Sequence, residues 1–261
     1  MITDSELLEL EGLLEDRQIE ASKTSFIDFV EYTLEGFDRT WFHETYYDVI
    51  DKFAKGNIQR LIVSVPPQHG KSQASSRHLP AYMFGLDPKK KVALVSYNQP
   101  FASKFNRSVQ RIIDDYKYHK VFPDTLLNES NVVTVSSNWL RNSEEFETVG
   151  YGGYFKAVGC GGGLTGNTVD MLIMDDLYKD YQDATSPTIS DRVWDWYLTV
   201  AKTRLHNDSQ ELIVFTRWDE NDLVGRLEQA GKVHTLSPGD DLDTLTLPKD
   251  VFIKINFEGL K

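Results

Sequence analysis

The spacing of apolar residues changes from helical to strand-like near residue 56. Leucines recur at helical spacing within residues 4–21, and shorter apolar faces recur within 25–36 and 43–55, which predicts three helices. The run LIVSV at residues 61–65 is short, continuous and rich in β-branched residues, which predicts a buried strand over 59–66. The chain therefore changes from a helical N-terminal region to a segment that begins a sheet.

Beyond this strand, strand and helix patterns alternate. The predicted strands are 91–96, 132–135, 154–158, 170–175 and 211–216. The predicted helices are 72–84, 101–116, 187–205 and 219–230. This alternation predicts an α/β fold with a mainly parallel central sheet flanked by helices. After Gly231 the pattern weakens into Pro- and Asp-rich sequence, so we predict one domain with a loose C-terminal extension.

Composition and charge limit the class of protein. The 261 residues are 40% hydrophobic, as expected for a globular protein with a substantial core. No apolar run reaches the roughly 20 residues of a membrane helix, and the acidic N-terminus does not resemble a secretory signal. A single cysteine, Cys160, excludes an intrachain disulfide and a cysteine-based zinc site. Because the formal net charge is −12, any contact with nucleic acid must be local, transient or shared with parts of the protein outside this sequence.

The segment VPPQHGKS at residues 65–72 has the position of a phosphate-binding loop, since it follows a predicted strand and opens a helix. Backbone N–H groups at the start of such a helix point at a phosphate, and the helix dipole favours negative charge there. Lys71 would neutralise the β- and γ-phosphates, Ser72 would bind Mg²⁺, and Gly70 would let the backbone approach closely. Val65 stands where the general pattern has its first glycine. The alternative interpretation is a turn with an exposed lysine.

Asp175 and Asp176 follow four apolar residues at the end of another predicted strand. If this strand end lies beside the phosphate loop, Asp175 would hold Mg²⁺ and Asp176 would orient and deprotonate the attacking water. Two adjacent carboxylates beside a metal require a cation to offset their repulsion. The alternative interpretation is an acidic turn between a strand and a loop.

The sequence between Lys71 and Asp175 is long enough for a further strand and helix, which favours an arrangement with another strand between the two motif strands. The predicted strand at 211–216 ends in Thr216, which could then reach the γ-phosphate or the attacking water. A threonine that simply ends a strand is an equally good interpretation.

Three ordered motifs resemble those of the large subunits of tailed-phage terminases. VPPQHGKS at 65–72 resembles their P-P-R-H-G-K-S loop, and GGGLTGNTVD at 161–170, with the acidic pair at 175–176, resembles their G-G-x-x-T-G segment. FTRWDENDLVGRL at 215–227 resembles their T-R-W-x-x-x-D-L-x-G-R-L signature. Together the motifs cover residues from about 40 to 230.

This resemblance implies a P-loop NTPase of the additional-strand (RecA-like/ASCE) type that uses ATP and Mg²⁺ to drive double-stranded viral DNA into a procapsid. It implies a homo-oligomeric ring docked on a portal protein, with a small terminase subunit as a further partner, although the isolated domain could be a monomer. The protein would act in the host cytoplasm and would not be a component of the mature virion. We expect residues 1–56 to form a helical, adenine-side region, 57–232 the ATPase core and 233–261 an extension towards an absent nuclease domain. Nuclease activity is therefore not expected in this chain.

The resemblance also assigns residue roles. The nucleotide-contacting residues would be Trp41 and His43 on the adenine side, although aromatic residues there could equally pack in the core, and Pro67, Gln68, His69, Gly70, Lys71, Ser72 and Gln73 in the loop. Thr216 falls on the motif that couples hydrolysis to translocation.

Two arginines common in the family are replaced here, by Gln68 and Asn167. An arginine at the transition state, often donated by a neighbouring subunit, is nevertheless needed in a motor of this class. Arg204 and Arg217 are the candidates, with Arg141 third.

Other functions remain open at this stage. A helicase-like motor or another DNA-dependent P-loop ATPase is the main alternative, although a helicase needs two motor lobes and the sequence has one phosphate loop. A small-molecule kinase and a nucleotide-dependent scaffold are further alternatives. Lys104, Arg107 and Arg111 recur on one face of a predicted helix and could contact DNA, or could form a solvated surface.

Overall fold

A mainly parallel sheet forms the centre of the chain. The structure is a computed structural model, and it describes residues 3–66, 68–132, 138–164, 168–237 and 240–257. The described part contains a sheet of eight strands in the order β3-β4-β2-β5-β6-β1-β8-β7. The strands are β1 Arg60–Ser64, β2 Lys91–Ser96, β3 Glu145–Glu147, β4 Tyr154–Gly159, β5 Val169–Asp175, β6 Leu205–Phe215, β7 Val233–Thr235 and β8 Phe252–Asn256. Only β3 pairs antiparallel with its neighbour among these strands.

Helices cover the sheet. The first three are α1 Asp4–Thr24, α2 Phe26–Thr33 and α3 Trp41–Ala54. Helix α4 follows β1 and consists of Lys71–Gln73, a π-helical turn at Ala74–His78, and Leu79–Leu86. The remaining helices are α5 Gln99–Ile113, α6 Tyr116–Val121, α7 Tyr181–Thr185, α8 Pro187–Trp196, which continues through a π-helical turn at Tyr197–Ala201 and a 3₁₀ turn at Lys202–Arg204, and α9 Leu223–Gln229.

Each central strand sends alternate side chains to the two faces of the sheet. On β1, Leu61 and Val63 join the larger apolar cluster with α2 to α6, whereas Ile62 joins a second cluster with α8 and α9. The same alternation divides β2, β5 and β6. A strand buried on both faces is a continuous apolar run in sequence, which is why the pattern identified these strands.

The α/β prediction is confirmed, and the differences from the predicted elements have local causes. Strand β6 begins at Leu205 rather than at 211. The apolar pattern missed its first part because residues 206–210 are polar, and 206–208 are also exposed. Helix α9 begins after Asp222, whose side chain accepts a hydrogen bond from the N–H of Gly225 and caps the helix. Of the predicted strand at 132–135, only Val132 lies within the described residues, and it forms a single bridge to Arg141.

The sequence pattern did not predict five elements: α6, α7, β3, β7 and β8. Strand β8 is the most consequential, because it pairs in parallel with β1 next to the phosphate loop. Its neighbour Phe257 donates its backbone N–H to the Ser64 carbonyl, and its ring lies 5.5 Å from Phe42 and 5.6 Å from Tyr46. The predicted domain boundaries remain predictions, but the segment after residue 232 contributes strands to the sheet.

None of the helices within the described ranges is long and apolar enough to cross a membrane.

If the C-terminal segment belongs to the core, removing the ring of Phe257, which packs on Phe42 and Tyr46, must destabilise the chain. We predict that Phe257→Ala lowers the free energy of unfolding by about 3 kcal/mol, because a buried aromatic ring leaves a cavity. Urea denaturation measures this change. Tyr181→Ala, at a residue 60% exposed, is the control and should stay within about 0.5 kcal/mol. A similarly small change for Phe257→Ala would contradict this packing.

Candidate active site

Three parallel strands bring the predicted motifs to one edge of the sheet. Strand β6 lies between β1 and β5, with Ser64 beside Phe215 and Asp175 beside Val214. Their carboxyl ends therefore lead into the loop at 65–70, into Thr216, and into the acidic pair. The predicted strand between the two motif strands is present, and it is β6.

The loop between β1 and α4 approaches its helix through left-handed backbone. Gly70 has a φ of 73° and Gln68 a φ of 67°. A Cβ built on Gly70 would meet nothing within 4 Å, so the space in front of this backbone is open. Gln68 and His69 are exposed, and Ser72 is half-buried in the first turn of α4. Pro67 lies outside the described residues.

Lys71 connects the three strand ends. Its side chain is buried, and Nζ donates to Asp176 Oδ1 at 2.7 Å and to Thr216 Oγ1 at 2.8 Å. The backbone N–H of Thr216 also donates to Asp176 Oδ1, at 3.3 Å. The structure thus brings together three predicted catalytic residues, Lys71, Asp176 and Thr216.

The predicted metal ligand Asp175 is 1% exposed. Its Oδ2 accepts a hydrogen bond of 2.5 Å from the Ser76 hydroxyl, whereas its Oδ1 has no hydrogen-bond partner among the described residues. Burial and the neighbouring charge of Asp176 raise the pKa of Asp175, and the Ser76 hydrogen bond, the charge of Lys71 and the nearby Ser72 hydroxyl oppose that rise. A buried carboxylate with one unpartnered oxygen is suited to a cation.

The donor set at this position fits Mg²⁺. The described residues contain no group of three or more His, Cys, Asp and Glu side chains that could enclose a metal. Mg²⁺ does not need such a group, because it commonly binds one or two carboxylates together with substrate phosphates and water. Asp175 and the Ser72 hydroxyl supply the oxygen ligands that this ion prefers.

The backbone at Asp176 is left-handed, with a φ of 44°, which is unusual for a residue other than glycine. The surrounding chain fixes it: the N–H of Asp176 donates to the Val214 carbonyl at 3.1 Å, and its carbonyl accepts from the N–H of Tyr97 at 3.2 Å. The chain turns away from β5 at this residue, while the Asp176 side chain stays in contact with the Lys71 ammonium. Strained backbone of this kind is commonly found at functional sites.

The residues predicted on the adenine side lie at the start of α3. Trp41 is 58% exposed. His43 caps the helix, where its Nδ1 lies 2.9 Å from Thr40 Oγ1, and burial lowers its pKa. The contacts from α3 to the loop include the ring of Phe42, 5.9 Å from His69, and the Tyr46 hydroxyl, which donates to the Lys71 carbonyl at 3.2 Å.

The three candidates for the transition-state arginine lie in different parts of the fold. Arg217 follows Thr216 and forms an ion pair with Glu228 at 2.9 Å. Arg204 precedes β6 and so lies at the opposite end of an 11-residue strand from Thr216. Arg141 is held by Asp114 and by the Asn128 carbonyl. All three assignments remain predictions.

Two residues at the site did not appear in the sequence prediction as functional. Ser76 contacts Asp175, and Tyr46 contacts Lys71. The i, i+4 spacing of Ser72 and Ser76 was a signal that both could face the acidic strand end. Gln73, which was predicted to contact nucleotide, has its side-chain oxygen bonded to Arg77 and its side-chain nitrogen next to His78 Nδ1.

The loop after β1, the acidic pair at the end of β5 and the strand β6 between them have the arrangement of the P-loop fold of the additional-strand class. A family model described as "Terminase large subunit, T4likevirus-type, N-terminal" matches residues 62–256. The chain belongs to this terminase family. No curated protein matches the sequence.

Two solved structures of phage terminases are similar to this chain. The large terminase ATPase domain of Thermus phage P74-26, in a mutant form, aligns with a TM-score of 0.52 at 14% identity, over 87% of this chain and 84% of that one. This similarity supports the fold. The large terminase of bacteriophage HK97 aligns with a TM-score of 0.47 at 12% identity, over 75% of this chain and 37% of that protein.

The open space before Gly70 leads to a prediction with a matched control. Gly70→Ala and Gly56→Ala both place a side chain on left-handed backbone where no protein atom lies within 4 Å. Each should therefore lower the free energy of unfolding by about 1 kcal/mol. Only Gly70→Ala should also weaken nucleotide binding, because its methyl group enters the space that phosphates would occupy. Fluorescent-nucleotide titration measures this, and equal nucleotide affinity in the two variants would contradict the loop assignment.

Proposed function

We propose that this chain is the ATPase motor domain of a terminase large subunit, which hydrolyses ATP with Mg²⁺ to move double-stranded viral DNA into a procapsid. The observation that carries the proposal is the position of Lys71, whose ammonium contacts both Asp176 and Thr216 beside the buried Asp175. Family membership and the additional-strand fold support the same conclusion.

Each residue of the site has a role that its position supports. Backbone N–H groups at the start of α4 and the Lys71 ammonium would bind the phosphates. Asp175 and Ser72 would hold Mg²⁺, which when bound neutralises charge on the β- and γ-phosphates. Asp176 would accept a proton from the attacking water. Thr216, at the tip of the strand between them, would respond to the terminal phosphate.

The contact between Lys71 and Asp176 links the general base to the substrate. A bound phosphate would compete with Asp176 for the Lys71 ammonium, because both are anionic acceptors of the same donor. When Lys71 turns to the phosphate, the Asp176 carboxylate would leave this ion pair and become free to accept a hydrogen bond from the attacking water.

An arginine from a neighbouring subunit would complete the site. Arg217 forms an ion pair with Glu228, and Arg204 lies at the opposite end of β6 from the phosphate loop. We therefore propose a homo-oligomeric ring, docked on a portal protein and assisted by a small terminase subunit in the host cytoplasm. We propose no nuclease activity for this chain.

Two substitutions separate nucleotide binding from turnover. Lys71→Ala should abolish both, because the charge of the phosphates goes unmatched. Asp176→Asn should keep nucleotide affinity within about threefold and lower turnover by about 100-fold or more, because the amide cannot accept the proton. Phosphate release and fluorescent-nucleotide binding measure the two effects, with Asp124→Asn, at an exposed residue, as the control. Unchanged turnover in Lys71→Ala would exclude this site.

Contact with DNA requires a local basic surface, because the net charge of the chain is −12. Lys104, Arg107 and Arg111 are exposed on one face of α5, and none of them has an ion-pair partner among the described residues. Many other cations are paired: Lys23 with Glu20, for example. We propose that this face of α5 contributes contacts to DNA phosphates.

Salt dependence tests this surface. Replacing Lys104, Arg107 and Arg111 together with alanine should weaken DNA binding and lower the slope of log affinity against log salt by about 3, because each lost phosphate contact removes about one unit. Replacing Lys23, Lys179 and Lys249, which are paired with carboxylates, changes the net charge equally and is the control. Fluorescence anisotropy with duplex DNA gives both slopes. Equal losses in the two triple variants would show a general effect of charge.

A further inference from the structure

The helix that follows the phosphate loop is irregular at its first full turn. After Lys71–Gln73, the turn Ala74–His78 is π-helical, with the N–H of Leu79 bonded to the Ala74 carbonyl. The His78 ring supports this turn, because its Nδ1 lies 3.1 Å from the Gln73 carbonyl oxygen and 3.0 Å from the Gln73 side-chain nitrogen. π-Helical turns inside α-helices occur frequently at functional sites.

The side chain of Ser76 leaves this turn towards the end of β5. Ser76 is fully buried and donates its hydroxyl hydrogen to Asp175 Oδ2, across 2.5 Å. A hydrogen bond from a hydroxyl to a buried carboxylate is charge-assisted and short, and it fixes the orientation of the acceptor. The bond occupies one carboxylate oxygen and leaves Oδ1 without a partner among the described residues.

We propose that Ser76 is a positioning residue for the Asp175 carboxylate, which holds Oδ2 so that Oδ1 remains available to the divalent cation bound with Ser72. This inference rests on the proposed function. Ser76 itself does not touch the cation. Without the Ser76 hydroxyl, the buried Asp175 carboxylate would lose its fixed orientation, and the cation would bind a less ordered ligand.

The same turn contains a matched control. Ser75 is also fully buried, and its hydroxyl donates to the Lys71 carbonyl at 2.7 Å. Ser75→Ala and Ser76→Ala therefore remove the same group from adjacent positions of one turn. Only the second removes a hydrogen bond to the predicted metal ligand.

The experiment measures cation binding directly. Mn²⁺, which prefers oxygen ligands as Mg²⁺ does, is titrated into the full chain with a non-hydrolysable ATP analogue and followed by electron paramagnetic resonance. Ser76→Ala should weaken Mn²⁺ binding about tenfold, as loss of a partner of a metal ligand typically does, and Ser75→Ala should change it less than about twofold. Binding of the analogue without metal should stay within about twofold of wild type in both variants.

The outcomes separate this inference from the proposed function. Wild-type Mn²⁺ affinity in Ser76→Ala, or an equal loss in Ser75→Ala, would overturn the positioning role while leaving the ATPase proposal intact. If the wild-type chain bound no Mn²⁺ with the analogue, the proposed function would fail and this inference with it. Ser76→Cys, nearly the same size but a weak donor, provides a second variant should Ser76→Ala not fold, and it should show a loss in the same direction.

Discussion

The site depends on one buried ammonium group. Lys71 is 8% exposed and donates to both Asp176 and Thr216, so a single charge joins the start of α4 to the ends of β5 and β6. Neighbouring strands lie about 4.8 Å apart, so the ends of β1 and β5, with β6 between them, are about 10 Å apart. The Lys71 side chain, its hydrogen bond of 2.7 Å and the Asp176 side chain together span that distance. The order of the strands is therefore a condition of the chemistry.

Charge balance explains why this region needs a ligand. Asp175 and Asp176 are adjacent in sequence, and the carboxylate that forms an ion pair with Lys71, at 2.7 Å, is that of Asp176. The raised pKa of Asp175 reflects its burial and the adjacent negative charge. A bound divalent cation would lower the pKa of Asp175 again, because its positive charge stabilises the ionised carboxylate. The left-handed backbone at Asp176 keeps the two carboxylates on different partners, Asp175 on Ser76 and Asp176 on Lys71.

Much of this architecture could be predicted from the sequence, because buried strands are continuous apolar runs and polar residues mark their ends. The runs at β1, β5 and β6 placed the loop, the acidic pair and Thr216 at one edge of the sheet. Strand β8 was missed because it is short and contains polar residues such as Lys254. The π-helical turn at Ala74–His78 was missed because its residues are mostly polar. A segment with so few apolar residues has no clear apolar period, so an additional residue in the turn leaves no signal in the sequence. The spacing of Ser76 from Ser72 thus suggests that it faces the acidic strand end, but its bond to Asp175 depends on the π-helical turn, which the sequence pattern does not predict.

A crystal structure of the chain with a non-hydrolysable ATP analogue and Mg²⁺ tests the central claim most directly. We expect the Lys71 Nζ to lie about 3 Å from a terminal phosphate oxygen, with Asp175 and Ser72 beside the metal. This expectation would be contradicted by an analogue that binds away from the ends of β1, β6 and β5. A Lys71 ammonium that still contacts only Asp176 and Thr216, with the phosphates out of its reach, would contradict it equally.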